Sequence, residues 1–261
     1  MRIGPQFSHA ATGRIVPTAL AILIGLALPG VARAGAFTVV PVKLELGTEG
    51  TTAVLRVTNQ DVDPVVLQVG TKAWSQNDQG EPVYQDTPDV VVFPKLLTIE
   101  PKEERLLRVG YRGPRTGEVE RTYRLFIEEV PVGAEAKAGL SMNLRIGVPL
   151  FIAPHKTRRD VVLGDLALAD GNLDVPVENR GNVHVVVGRM TAAGVEPDGT
   201  KRVLAEQRGW YVLAGRRRTF QLALPEDACK ASRTIELGAD ADGTELSGRL
   251  DVDAARCAPT P

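Results

Sequence analysis

Short apolar runs, each stopped by Gly, Pro, Asn or Asp, leave this chain little choice but a β-fold. With 26 Gly and 18 Pro among 261 residues, long helices have nowhere to form. The runs Phe37–Leu46, Thr51–Thr58, Val65–Trp74, Val90–Ile99, Glu104–Tyr111, Arg121–Val130 and Leu140–Ile152 are rich in Val, Ile, Leu and Thr. That number of strand-like runs over about a hundred residues predicts a β-sandwich. A second set follows: Asp160–Leu168, Leu173–Glu178, Val183–Ala192, Lys201–Glu206, Arg218–Leu224, Arg233–Ala239 and Ser247–Asp253. The two sets echo each other, Val57-Thr-Asn59 before one apolar run matching Val177-Glu-Asn179 before another. Between them lies the polar, basic segment Ala153–Arg159 with Pro154 at a strand end. The boundary therefore falls there, giving one unit over 35–153 and another over 154–261.

Residues 1–34 read as an address rather than as structure. Val16–Leu28 is apolar and uncharged, Arg2 and Arg14 precede it, and Ala32-Arg33-Ala34 follows as a small-x-small cleavage pattern. This is the pattern of a secretory signal peptide, cut after Ala34. The run is short for the roughly 30 Å of a bilayer core, so no stable membrane insertion is expected. Across the chain 31 Lys and Arg oppose 32 Asp and Glu. Three of those arginines leave with the leader, so the remainder carries a net charge of −4. An acidic chain lacks the electrostatic footprint of a nucleic-acid binder.

In an oxidising compartment an even pair of cysteines is expected to bridge. Cys229 and Cys257 are the two present, and Asp242-Gly243, a hairpin turn signal, lies midway between them. Folding back at that turn brings the two cysteines opposite each other within one residue. A bulge or three-residue loop would complete the match, and a disulfide would close the open end of the last hairpin.

Candidate catalytic groups are scarce. His155 and His184 are far apart and in different kinds of segment, and two cysteines without nearby His lack metal-ligand spacing. Neighbouring carboxylates such as Glu103/Glu104 and Glu128/Glu129 would point to opposite faces of a strand. No phosphate-binding glycine motif follows a strand and opens a helix. Neither enzymatic activity, nor a cofactor, nor a metal site is expected.

The segment Leu140–Ile152 stands out. Leu140, Met142, Leu144, Ile146, Val148 and Leu150 are apolar, and the residues between them are Ser, Asn, Arg, Gly and Pro. Such alternation fits a half-buried core strand. It also fits an edge strand that lends its apolar side chains to a partner. Length favours the second reading, and so does Pro149, which cannot donate to a ladder and belongs at an edge.

Ala73-Trp74, Val92-Phe-Pro94 with Ile99-Glu-Pro101 and Leu106-Leu-Arg-Val109, and Glu120–Pro131 together resemble segments of the PapD-like periplasmic chaperones of the chaperone–usher pilus pathway. Ala73-Trp74 is similar to the Ala-Trp of that family's third strand. Val92-Phe-Pro94, Ile99-Glu-Pro101 and Leu106-Leu-Arg-Val109 resemble its Pro-Pro…Leu-Glu-Pro-Gly…Leu-Arg stretch. Glu120–Pro131 is similar to the signature Arg-Glu-Ser-x-Phe…Glu-Ile-Pro, with Arg121 at the Ser and Phe126 at the Asn, as in a divergent branch.

The resemblance implies an all-β protein of two immunoglobulin-like domains set as a boomerang. It further implies periplasmic binding of pilin or fimbrial subunits by donor-strand complementation through residues 140–152, and delivery to an outer-membrane usher. The family anchors its subunit's terminal carboxylate with two basic residues. Aligned on Asn59, the first is Lys43; the second position is Pro149 here, which points instead to Arg145 on the same face, with Lys156 and Arg158 as substitutes. A structural pilin or adhesin, or a secreted hydrolase, are the alternative readings of such a chain. Two full strand sets disfavour the former, and the lack of catalytic groups the latter.

Overall fold

The computed structural model describes residues 37–47, 50–114, 117–131 and 143–258. The proposed leader, and Leu140 and Met142, lie outside the described residues. From Gly35 onward the chain forms one compact unit. It is an all-β protein of immunoglobulin-like sandwiches.

Two prolines decide how the first sandwich is laid out. The run beginning at Phe37 breaks at Pro41 into β1 (Phe37–Val40) and β2 (Leu44–Leu46). The run beginning at Val90 breaks at Pro94 into β6 (Val90–Phe93) and β7 (Leu96–Ile99). Both prolines follow cis peptide bonds. At each of them, lacking an N–H for a ladder, the chain leaves one sheet and enters the other.

One sheet therefore runs β1–β3–β8–β6, with β3 spanning Thr52–Asn59 and β8 spanning Glu104–Tyr111. The other runs β2–β10–β9–β4–β5, with β7 also on β4. Here β4 is Val65–Gln76, β5 is Pro82–Asp86, β9 is Arg121–Glu129 and β10 is Arg145–Ile152. Their inner faces meet in a core that includes Leu55, Leu67, Ile99, Leu107, Leu125, Ile127 and Leu150, each wholly buried.

The second half repeats the plan. One sheet joins β11 (Val161–Leu163), β12 (Ala167–Ala169), β13 (Asn172–Asn179) and β17 (Arg217–Ala223). The facing sheet runs β15–β14–β18–β19, with β16 (Tyr211–Val212) also on β14. Its other strands are β14 (Val185–Val195), β15 (Lys201–Arg208), β18 (Thr234–Ala241) and β19 (Thr244–Asp251). The helical turn α1 (Glu226–Ala231) interrupts what otherwise reads as continuous β-structure. Leu173, Met190, Leu222 and Ile235 fill this second core.

The echo between Asn59 and Asn179 has a physical basis. Both are fully buried at the end of the third strand of their half, β3 and β13. Asn59 Nδ2 donates to Asp63 O (2.8 Å) and Ile99 O (2.9 Å), while Asp61 N donates to its Oδ1 (2.8 Å). Asn179 Nδ2 donates to Val183 O (2.8 Å) and Val212 O (2.9 Å), and Gly181 N donates to its Oδ1 (2.9 Å). Each amide thus folds the next turn onto itself and ties it to a distant strand, satisfying backbone groups that water cannot reach.

Cys229 and Cys257 are joined by a disulfide, their Cα atoms 5.8 Å apart. Asp242 and Gly243 form a two-residue turn with positive φ at both positions, and β18 pairs with β19 without a register shift. Neither a bulge nor a third loop residue is present, contrary to the sequence expectation. The one-residue offset is taken up by α1 and by the 3-10 turn Ala254–Arg256, between which the bridge lies.

Replacing Asn59 or Asn179 with Ala strands buried backbone groups, and each should lower stability by about 1–3 kcal/mol. The two lie in separate cores, so the double variant should lose roughly the sum of the single losses. Urea unfolding followed by circular dichroism measures both effects.

Candidate functional site

Strand β10 is built asymmetrically. It pairs with β9 along its whole length, from Arg145↔Glu128 to Ile152↔Arg121. On its other side β2 pairs in parallel only with Leu150–Ile152. Among the described residues, therefore, 145–149 has a strand on one side only. Pro149 sits immediately before the second pairing begins, so its missing N–H is tolerated.

The side chains of this strand split in the same place. Val148 and Leu150 are 1% and 0% exposed and belong to the core of their own sandwich. Even-numbered side chains face inward, and where β2 closes the sandwich those expected as donor residues at 148 and 150 are sealed. Leu144 and Ile146 are only partly buried and pack on the margin of that core.

The two proposed basic anchors are not brought together. Lys43 precedes Leu44, the partner of Leu150, and so flanks Pro149. Its Nζ lies 2.6 Å from Glu45 Oε1. That hydrogen bond raises the Lys43 pKa and lowers that of Glu45. Arg145 instead pairs with Glu128 (2.7 Å) and stacks its guanidinium 3.9 Å from the Phe126 ring. The two cations share no partner, and four residues of strand, roughly 13 Å, separate Arg145 from Pro149. Of the substitutes, Arg158 is held by Asp160 (3.1 Å) and Arg180 O (2.6 Å). Lys156 lines a separate cavity with His155, Val119 and Asn182.

The outer face of the β10–β9–β4 sheet carries groups whose contacts the sequence did not reveal. Trp74 on β4 and Phe151 on β10 pack against Tyr211 and Leu213 from the second half. Gln76 joins the same two segments through its amide: Nε2 donates to Tyr211 O (2.9 Å), and Leu213 N donates to Oε1 (2.8 Å). His184 stacks on Phe151 at 3.7 Å, and both its Nδ1 and its backbone N lie 2.8 Å from Glu120 Oε2. His184 is thus a buried joint between the halves, not an isolated strand residue.

Arg124 occupies the middle of this face, opposite Pro149 in register. Its guanidinium lies 4.9 Å from the Trp74 ring and 5.5 Å from the Trp210 ring, and Nη2 donates to Gly147 O at 3.1 Å. The one available signal was alternation within Arg121–Glu129. With Tyr123, Leu125 and Ile127 facing the core, Arg124 and Phe126 must share the other face. Among the described residues no three His, Cys, Asp or Glu side chains gather as metal ligands.

Residues 36–158 match the family described as "Pili and flagellar-assembly chaperone, PapD N-terminal domain". No curated protein matches the chain in sequence. The fold is similar to a solved CsuC–CsuE chaperone–tip adhesion subunit pre-assembly complex from archaic chaperone–usher Csu pili of Acinetobacter baumannii. That match has 14% identity and a TM-score of 0.59, over 82% of this chain and 98% of that one. The Salmonella enterica SafA pilin–SafB chaperone complex matches at 19% identity, TM-score 0.52, over 84% of this chain and 98% of that one. The YadV chaperone matches at 12% identity, TM-score 0.53, over 84% and 100%. At these identities the likeness is one of fold.

Gln76→Ala removes both hydrogen bonds that its side-chain amide makes to Tyr211 and Leu213. It should cost about 1–3 kcal/mol in urea unfolding while leaving the far-ultraviolet spectrum unchanged.

Proposed function

We propose that this chain, a PapD-like protein whose residues 36–158 match the PapD N-terminal domain family, is a periplasmic chaperone for pilus or fimbrial subunits. In this reading it lends a subunit the free edge of β10 and passes it to an outer-membrane usher. The half-open edge of residues 145–149 is the observation that carries it. An added strand can hydrogen-bond to that edge through backbone groups alone, which makes the affinity largely independent of the guest's sequence. Leu144 and Ile146, and Leu140 and Met142 ahead of them, supply apolar side chains for the guest's groove. Val148 and Leu150 take no part, because they already fill the chaperone's own core.

The same reading places a leader at 1–34 and a domain boundary at 153/154. The separate hydrophobic clusters on either side of that boundary support the division. No helix among the described residues is long and apolar enough to cross a membrane. The match to a pilus-chaperone family and the likeness of fold to pilus chaperones support a non-enzymatic role.

Leu144→Asp should leave the protein folded and abolish protection of a co-expressed subunit from proteolysis. A carboxylate in an apolar groove costs several kcal/mol, on the order of the penalty for burying an unpaired charge. Val148→Asp should fail to fold, because that side chain is sealed in the core. Periplasmic co-purification with a subunit in equal ratio checks the first, and thermal melting checks the second. Normal subunit binding by Leu144→Asp would remove β10 as the donor.

A further inference from the structure

A corner between the two halves holds a buried carboxylate that no lysine or arginine among the described residues neutralises. The side chain of Glu120 is 4% exposed, and its partners there are the backbone N and Nδ1 of His184, both on Oε2. Glu120 Oε1 meets no donor among the described residues, and His184 Nε2 has no partner among them either. Within the same residues Trp74 Nε1 is the wholly enclosed side-chain N or O atom without a partner, so these two atoms keep a face to open space. Glu120 and His184 line a cavity of about 280 Å³ together with Glu45. We infer that this cavity is a binding site for a primary ammonium group, carried by a small amine.

The fold draws the three acceptors from three segments. Glu45 on β2 is the partner in register of Phe151 on β10, so the two side chains share a face. His184, immediately before β14, stacks on that same Phe151 ring at 3.7 Å. Glu120, immediately before β9, is fixed by its two bonds to His184. An ionised carboxylate can only accept, so the hydrogen between Glu120 and His184 sits on Nδ1. Nε2 of the neutral ring is then a lone-pair acceptor, and the cavity presents acceptors from all three residues.

The charge balance asks for one more cation. Lys43 is engaged by Glu45 (2.6 Å) and Arg159, which also lines the cavity, by Asp242 (3.2 Å). Three carboxylates thus face two cations in this corner, and the one left without a cation is the buried one. Burial of an unpaired charge is costly, so a ligand that supplies the missing positive charge is favoured. An ammonium carries three N–H donors on one compact atom, whereas a guanidinium presents a planar fork. A metal ion fits less well, since no three His, Cys, Asp or Glu side chains among the described residues gather as its ligands. Hydrogen bonds of about 2.9 Å reach farther than metal bonds of about 2.1 Å. Leu46, Phe151 and Val183 line the same cavity and give the carbon stem of an amine an apolar wall.

Nitrogen-15 labelling of histidine reads the site directly. His155 is exposed and outside the cavity, and so serves as an internal control for His184. The purified chain is titrated at about pH 8, where an imidazole is ordinarily neutral and a primary amine still charged. Butylamine, butanol, tetramethylammonium and zinc chloride are compared. Saturable movement of the His184 Nε2 resonance by butylamine is expected, with His155 unmoved. Butanol, which lacks the charge, and tetramethylammonium, which lacks the donors, should bind at least tenfold more weakly. Glu45→Gln, on a side chain 58% exposed, should weaken butylamine at least tenfold by removing a charge-assisted hydrogen bond. Lys43→Gln, which releases the same carboxylate, should strengthen it. Glu120→Gln should weaken it as Glu45→Gln does, and the Glu45 variant carries the test should Glu120→Gln lose its fold by circular dichroism. The bound amine would join Glu45 and Glu120 of the first half to His184 of the second, so it should raise the melting midpoint of the wild type more than that of Glu45→Gln. Absence of saturable binding, equal binding of butanol or tetramethylammonium, tighter binding of zinc, or an unchanged affinity in Glu45→Gln would each overturn the site. None of these readouts involves a subunit, so the site stands or falls apart from the chaperone reading.

Discussion

The contact between the outer face of the β10–β9–β4 sheet and the segment around Tyr211 governs everything else on this molecule. Trp74 and Phe151 are nearly or wholly buried there, and Gln76 pairs with the backbone of Tyr211 and Leu213 as another strand would. Without that closure Trp210 would not stand over Arg124, Arg218 would not reach Gly80, and His184 would have neither Phe151 nor Glu120 beside it. The apolar rings contribute most of the driving force, in proportion to the area they remove from water. The amide and the His–Glu pair contribute direction, since polar groups at this depth are tolerated only in the geometry that satisfies them.

Much of the fold was legible in the sequence because each half needs only period-two alternation and turn residues. Glu104–Tyr111 carries the same bounds in sequence and structure for that reason. What alternation could not reveal was where a run changes sheets. Phe37–Leu46 and Val90–Ile99 read as single strands, yet Pro41 and Pro94 each cut one in two. Strand β5 was missed because every residue in it is exposed, so no buried face marks it. α1 was missed because six residues are too few for a helical period to show.

The functional face was legible in one dimension only. The alternation at 140–150 identifies which side chains share a face, but not how much of that face the protein keeps for itself. That depends on the extent of β2, a strand a hundred residues away. Arg124 and Arg218 are likewise ordinary strand residues in sequence. Their proximity follows from the docking of two halves, which local pattern does not encode. Lys43 and Arg145 stand apart for a related reason: residues on one face of a sheet can still be several residues apart along a strand, each with its own carboxylate.

The parallel pairing of β2 with the last three residues of β10 also acts as an end stop. Any strand laid along the free edge meets an occupied ladder at Leu150 and can advance no further. Under the proposed function, the register of a guest is then set by collision rather than by recognition of its side chains. Five described residues of open edge, at about 3.3 Å each, give a ruler of roughly 17 Å. A host with a fixed stop can seat guests of many sequences in the same frame, so that their ends always fall at the same place relative to the cleft.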